Sequence, residues 1–283
     1  MKEETGKYDN RNKLNDLTGK EWLKLTKSYW FSEKCKDDKI AFGHPAPFLI
    51  KDIEKLISFF TKKGMKVLDP FNGSGTTIVA GSNLKRIVYG IDLNQEYVTL
   101  SEERLKEKNR FNQKDYFLYN ADSIKKISDF ENEFFDYVVT SPPYHNILKN
   151  KASGLRSDNS KKGYRNGSRQ GVDYYSENEN DLGNQKTFDD FLNLLSVVMQ
   201  NIYLKLKEGK YCSIIISDFT VDKKEVCVQA CVVKMMQEIG YEFVGTITLL
   251  QDNKPLYPFG YPFAYKINHH NQNIINFRKK ISV

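Results

Sequence analysis

From residue 48 onward, apolar runs of strand length alternate with amphipathic segments of helix length, and this alternation restricts the chain to a parallel sheet covered by helices on both faces. The runs MKVLD (65–69), RIVYGID (86–92), DYFLYN (115–120), FFDYVVT (134–140) and KYCSIIIS (210–217) read as strands. Segments 48–61, 75–84, 94–109, 187–207 and 224–239 read as helices. YEFVGTITLL (241–250) and QNIINFRK (272–279) have no helix between them, so they are expected to pair antiparallel at the sheet edge. The expected architecture is a doubly wound, mostly parallel, seven-stranded α/β sheet of Rossmann-like type with an antiparallel strand at its C-terminal edge.

With 283 residues and 40% hydrophobic content, the chain can bury one sizeable core. Residues 1–16 are polar and are expected to form a mobile tail, and 17–283 to form a single domain. Within it, 18–31 reads as a short amphipathic helix with Trp22, Leu25 and Tyr29 on one stripe. Apolar stretches such as YCSIII (211–216) fall far short of the roughly 20 residues of a membrane span, and the N-terminus lacks a signal peptide's pattern. A cytoplasmic protein without membrane partners is expected. Cys35, Cys212, Cys227 and Cys231 form no CxxC pair and have no His at zinc spacing, so small core thiols are expected and no metal site.

The alternation breaks at 145–186, a stretch rich in Gly, Ser, Asn and charge. Loops that long inside a compact domain are usually functional or disordered. From Lys149 to Arg169, Lys149, Lys151, Arg156, Lys161, Lys162, Arg165 and Arg169 stand against the single acid Asp158, in a chain of net charge +7. Such a cluster is either a solvated basic loop or a surface for a polyanion.

VLDPFNGSGTT (67–77) is a strand ending in Asp69, a turn containing Gly73 and Gly75, and a helix start. Open α/β sheets bind ligands at the carboxyl ends of their strands, where a glycine turn lets a ligand approach backbone N–H groups. A triphosphate loop would need a lysine after the second glycine, and a dinucleotide fingerprint a third glycine where Ile78 stands. Acids close or follow three successive strands instead: Asp69, Asp92 and Asp122. That placement suits S-adenosylmethionine, whose amino group, ribose hydroxyls and adenine amine need acceptors. The plainer alternative is that the acids only cap strand ends.

At 138–146, VVTSPPYHN, a β-branched run stops at two prolines. Proline fixes φ and pushes the preceding residue into extended geometry, so 141–143 is a stiff segment whose carbonyls and Ser141 hydroxyl are held in set directions. Tyr144 supplies a flat face beside them. Such acceptors could bind the two hydrogens of a nucleobase amine and aim its lone pair at a methyl donor, a chemistry of positioning that needs no covalent nucleophile. A base inside a duplex would have to be flipped out to reach it. A strand terminator with an exposed tyrosine is the plainer reading.

At these residues the chain resembles the amino-methyltransferase family of DNA methylases, through DPFNGSGTT at 69–77, TSPPY at 140–144 and HPAPF at 44–48. The similarity extends over about 15–280, including YSENENDLGN (175–184) and LKEGKYCSII (206–215), with the cofactor motif N-terminal to the catalytic one as in restriction-modification enzymes. The resemblance implies the S-adenosylmethionine-dependent methyltransferase fold. It implies cofactor contacts from His44, Ala46, Phe48, Asp69, Phe71, Asn72, Gly73, Ser74, Gly75, Thr76, Asp92, Leu93, Asp122 and Ser123. It implies a catalytic corner of Ser141, Pro142, Pro143 and Tyr144. Serine at the head of the proline motif is typical of cytosine-N4 enzymes, so a cytosine-N4 DNA methyltransferase is expected, with adenine N6 as the alternative. An RNA methyltransferase or a silent S-adenosylmethionine-binding subunit are further alternatives.

The expected partners are double-stranded DNA and a cognate restriction endonuclease; monomer and dimer both stay open. Little of the chain is left for a separate recognition domain, so the basic insert is the expected DNA-reading segment, with Arg156, Arg165 or Arg169 on guanine edges. His145 reads as a polar neighbour of the corner, His269 and His270 as structural. If the insert neutralises phosphates, affinity for duplex DNA measured by fluorescence anisotropy falls steeply between about 50 and about 200 mM salt. A flat response would remove the insert from the interface.

Overall fold

The computed structural model describes residues 6–39, 41, 48–107, 114–145, 178, 180–221 and 224–282. Ten strands occur among them: β1 (Tyr29–Phe31), β2 (Lys66–Asp69), β3 (Ile87–Asp92), β4 (Tyr116–Asn120), β5 (Phe135–Thr140), β6 (Leu206–Ile216), β7 (Phe219–Val221), β8 (Lys224–Val226), β9 (Glu242–Leu250) and β10 (Asn271–Arg278). Seven α-helices accompany them: α1 (Gly19–Leu25), α2 (Ile50–Phe60), α3 (Thr76–Asn83), α4 (Gln95–Lys106), α5 (Ser123–Ser128), α6 (Phe188–Lys205) and α7 (Val228–Ile239).

One eight-stranded sheet runs β1-β9-β10-β6-β5-β2-β3-β4. β2, β3, β4, β5 and β6 are mutually parallel. After β2 the chain builds outward through β3 and β4, then returns to lay β5 on the other side of β2. Strand order therefore reverses between β2 and β5, and in open α/β sheets ligands bind outside the carboxyl ends at such a reversal. Those ends are Asp69 and Thr140.

Alternation along each strand divides the core in two. Leu68, Val138, Cys212, Ile214 and Ile275 pack with α5, α6 and α7 on one face. Val67, Val88, Tyr137, Val139, Ile215 and Ile274 pack with α2 and α3 on the other. This is the two-residue period of strands buried on both sides.

Several expectations are corrected. The sheet has eight strands, because α1 stops at Leu25 and Tyr29 to Phe31 pair with Thr248 to Leu250 as a parallel edge strand. Thr26 and Ser28 are weaker helix formers, and the aromatic triplet that follows favours extended backbone and buries Trp30. Trp22 still packs inward, its ring 4.9 Å from Phe59. The antiparallel pairing of the last two strands holds, but β10 is inserted between β9 and β6 rather than lying at the rim. The short hairpin β7–β8 replaces the expected start of the last helix at 224. α5 was not anticipated.

Within the polar N-terminal stretch, Asn15 is fully buried and its Nδ2 donates to the Phe59 carbonyl at 2.6 Å. Of the four thiols only Cys212 is a core residue, whereas Cys227 is exposed at the start of α7.

A buried polar chain crosses three strands where an apolar pattern alone would be silent. The Tyr137 hydroxyl donates to Ser213 Oγ at 2.7 Å, and Ser213 Oγ donates to Asn276 Oδ1 at 2.7 Å. Replacing Asn276→Ala leaves the Ser213 hydroxyl without its acceptor, and urea denaturation is expected to show a loss of about 1–3 kcal/mol.

Candidate active site

The glycine loop uses left-handed backbone that favours glycine. Gly73 and Gly75 have φ of 49° and 78°, and a Cβ on Gly75 would lie 2.3 Å from Ser101 Oγ. A second close approach occurs at Gly90 in β3, where a Cβ would lie 2.6 Å from Asn72 Oδ1. Asn72 in turn donates to Ser101 Oγ at 2.9 Å. Arg104 of α4, only 2% exposed, reaches under the loop and donates through Nη1 to the Ser74 carbonyl at 2.6 Å and Thr76 Oγ1 at 3.1 Å. Thr76 Oγ1 donates to the Phe48 carbonyl at 3.2 Å. The side chains of Asn72, Ser74 and Thr76 thus hold the loop's shape, leaving its backbone as the surface for a ligand.

Asp69, 2% exposed, joins that loop to the proline segment. Its Oδ2 accepts from Thr77 Oγ1 at 2.5 Å, and its Oδ1 accepts from Thr140 Oγ1 at 2.7 Å and from the Phe71 N–H at 3.2 Å. Thr140 is the residue immediately before Ser141. Burial pushes the Asp69 carboxyl up to about 6, opposed by these three bonds.

Asp92, at the end of β3, accepts the Gly73 N–H at 2.7 Å and the Asn94 N–H at 2.9 Å. Desolvation raises it to about 7, the Asn94 and Gly73 hydrogen bonds oppose the rise, and repulsion from Asp69 and Asp181 adds to it. Asp122 caps α5 by accepting the Ile124 N–H at 2.8 Å and also accepts from Asn180 Nδ2 at 2.7 Å. Ser123 Oγ donates to the Pro70 carbonyl at 2.5 Å, and the Leu93 carbonyl accepts from Asn120 Nδ2 at 2.9 Å.

At the corner, Pro142 is buried while Ser141, Pro143 and Tyr144 are half-buried. The Tyr144 hydroxyl accepts from the Ser217 N–H at 3.1 Å, beyond β6, and from Gln272 Nε2 of β10 at 3.0 Å. Its ring lies parallel to Phe219, centroids 5.7 Å apart. His145 is buried, with Nε2 3.1 Å from the Gln185 carbonyl and its ring against Phe188 and Phe191. It is a structural neighbour of the corner, as the sequence suggested. His269 pairs with Glu225 at 2.7 Å.

Asp69, Phe71, Gly73, Gly75, Asp92, Asp122 and the corner therefore converge on one edge of the sheet. His44 and Ala46 lie outside the described residues, as do Lys149, Lys151, Arg156, Lys161, Lys162, Arg165 and Arg169. Sequence reasoning missed Arg104, Thr140, Ser217, Gln272 and Asn180. Arg104 reads as an ordinary basic residue near a helix end, and the others gain meaning only through strands far apart in sequence.

The sheet order and the reversal between β2 and β5 set the acid-lined glycine loop at the ligand-binding cleft of an open α/β sheet. Residues 1–103 match the family model described as DNA methylase, so this part of the chain is similar to that family. Type II methyltransferase M2.DpnII of Streptococcus pneumoniae is 38% identical over 106 residues, 37% of each chain. Orphan methyltransferase M.BamHII of Bacillus amyloliquefaciens is 42% identical over 74 residues, 26% of this chain and 28% of that one. The chain thus spans only about a third of the length of these curated relatives. TrmN of Thermus thermophilus shares the fold, with a TM-score of 0.51 and 16% identity over 86% of this chain and 52% of that one.

The residues fit S-adenosylmethionine. Asp92 feels repulsion from Asp69 and Asp181, so a cation is welcome at this edge, and each of its oxygens keeps a lone pair for a ribose hydroxyl. Among the described residues no group of three or more His, Cys, Asp or Glu side chains could hold a metal.

Because Asp69 and Asp92 stand at about 6 and about 7 against 3.8 in an ordinary carboxyl, the folded chain holds more protons than the unfolded one between those limits. Stability therefore falls as pH rises through that window. Calorimetry of the ligand-free protein is expected to show a thermal midpoint that rises from about pH 8 to about pH 6, with a smaller rise in Asp92→Asn. Equal slopes for the two proteins would contradict the buried-acid account.

Proposed function

We propose that the protein is a DNA methyltransferase of restriction-modification type that methylates the exocyclic amine of a flipped base, cytosine N4 in preference to adenine N6. The observation that carries this is the Asp69 bridge, which ties Thr77 of the cofactor loop to Thr140 at the head of the Ser-Pro-Pro-Tyr corner. The family match supports the reaction class, and Ser141 at the head of the motif favours cytosine.

S-adenosylmethionine supplies a methyl group already activated on a sulfonium. The chain supplies placement. Phe71, the Gly73 and Gly75 backbone, Asp92 and Asp122 line the cofactor edge. Ser141 Oγ and the Pro142 carbonyl accept the two amine hydrogens, which draws the nitrogen toward tetrahedral geometry and aims its lone pair at the methyl. The proton released as the N–C bond forms leaves along these acceptors to water. The Tyr144 ring offers a stacking face, fixed by its bonds to Ser217 and Gln272. The Cys212 thiol takes no part: burial pushes it up and places it in the core. The basic residues from Lys149 to Arg169 hold phosphates, and a cognate nuclease is the fitting partner in the cell.

Transfer of tritiated methyl from S-adenosylmethionine into plasmid is expected, with little into total RNA, and nucleoside analysis of the product is expected to yield N4-methylcytosine. N6-methyladenine would redirect the base assignment; label in RNA alone would overturn the DNA reading. Ser141→Ala and Tyr144→Ala are each expected to lower transfer about 100-fold or more while changing cofactor affinity by less than about threefold. Loss of cofactor binding in both would contradict this division of labour.

A further inference from the structure

The connection from β9 to β10, residues 251–270, is the most aromatic exposed surface among the described residues and lies beside the corner. It leaves and rejoins the sheet where Leu250 pairs with Asn271, and the Gln251 N–H donates to the His270 carbonyl at 2.7 Å. Gln272, two residues beyond its end, holds the Tyr144 hydroxyl. The loop therefore stands at the same sheet edge as the base-binding corner.

It is a built structure. Asn268 receives the Tyr257 N–H on Oδ1 at 3.0 Å and donates through Nδ2 to the Tyr257 carbonyl at 2.9 Å, closing the neck. At the tip, the Phe263 and Ala264 N–H groups both donate to the Gly260 carbonyl at 2.7 Å. Gly260 has φ of 76°, and a Cβ there would lie 2.2 Å from the Ala264 carbonyl oxygen, so only glycine permits this turn. The turn displays rings rather than hiding them: Phe263 is 95% exposed, Tyr265 92% and Tyr261 74%. Together with Lys266 they border an open cup of about 390 Å³. Lys254 and Lys266 are exposed on the same loop, which suits a polyanion.

Resting on the DNA reading above, we infer that this loop is a wedge. Phe263 and Tyr265 enter the base stack of the duplex beside the target and occupy the gap left by the extruded base, while Lys254 and Lys266 meet the flanking phosphates. Planar rings recover stacking that the flipped base gives up, and apolar wedges between base steps do this without reading sequence.

The test is methyl transfer into linear plasmid DNA, at saturating cofactor, by the full chain and by Phe263→Ala/Tyr265→Ala. Both rings project into water, so the thermal midpoint and cofactor affinity are expected to stay at wild-type values. The rate into duplex is expected to fall about tenfold or more, and Phe263→Trp/Tyr265→Trp to restore most of it, since stacking is tolerant of which ring supplies the plane. An unchanged rate in the alanine variant, or a tryptophan variant as slow as the alanine one, overturns the wedge. A sedimenting dimer that dissociates in the alanine variant, with duplex transfer intact, assigns the rings to a second copy and overturns it too. Wild-type protein inert on plasmid would sink the methyltransferase reading, and the wedge with it.

Discussion

The Asp69 carboxylate is the point on which the two halves of the site meet. It ends β2, and its oxygens are occupied by Thr77 in the first turn of α3, by Thr140 at the end of β5 and by the Phe71 N–H. Because β2 and β5 are neighbours at the reversal in strand order, one buried acid spans the cleft that the topology creates. A buried carboxylate is costly unless its acceptors are filled, and here they are filled by the two segments that must be held in register. The same bonds hold Asp69 where it positions both segments.

Around that acid the loop is rigid from beneath. Arg104 and Ser101 of α4 hold the carbonyls and side chains of 72–76, and Gly75 and Gly90 leave the space these contacts need. The Gly73 N–H is paired with Asp92, so the end of β3 is also tied to the loop. The target side is tied down separately, through Tyr144 to Ser217 and Gln272. Positions fixed from three strands suit a reaction whose catalysis is placement, since small displacements of acceptor from donor are expensive there.

Most of the scaffold was legible because strand and helix periods are local. The five parallel strands and the helices between them, except the short α5, follow from apolar spacing, and both motifs were recognisable by their prolines and glycines. What escaped depended on partners distant in sequence. A tyrosine–serine–asparagine chain across β5, β6 and β10 has no signature in any one strand. Nothing in the local pattern of either strand indicates that the side chains of Thr140 and Asp69 bond each other. The edge strand β1 was hidden inside an amphipathic pattern because three aromatic residues fit either period. In the segment after the corner, Asn180 and Asp181 approach Asp122 and Asp92, a return to the cofactor edge that composition did not suggest.

The most direct measurement is a crystal structure of the protein with S-adenosylhomocysteine. The account requires the ligand across the carboxyl ends of β2 and β3, against the Gly73 backbone and Asp92, with Asp69 still bonded to Thr77 and Thr140 behind it. A ligand elsewhere in the fold, or an Asp69 turned away from Thr140 to grip the ligand itself, would contradict it.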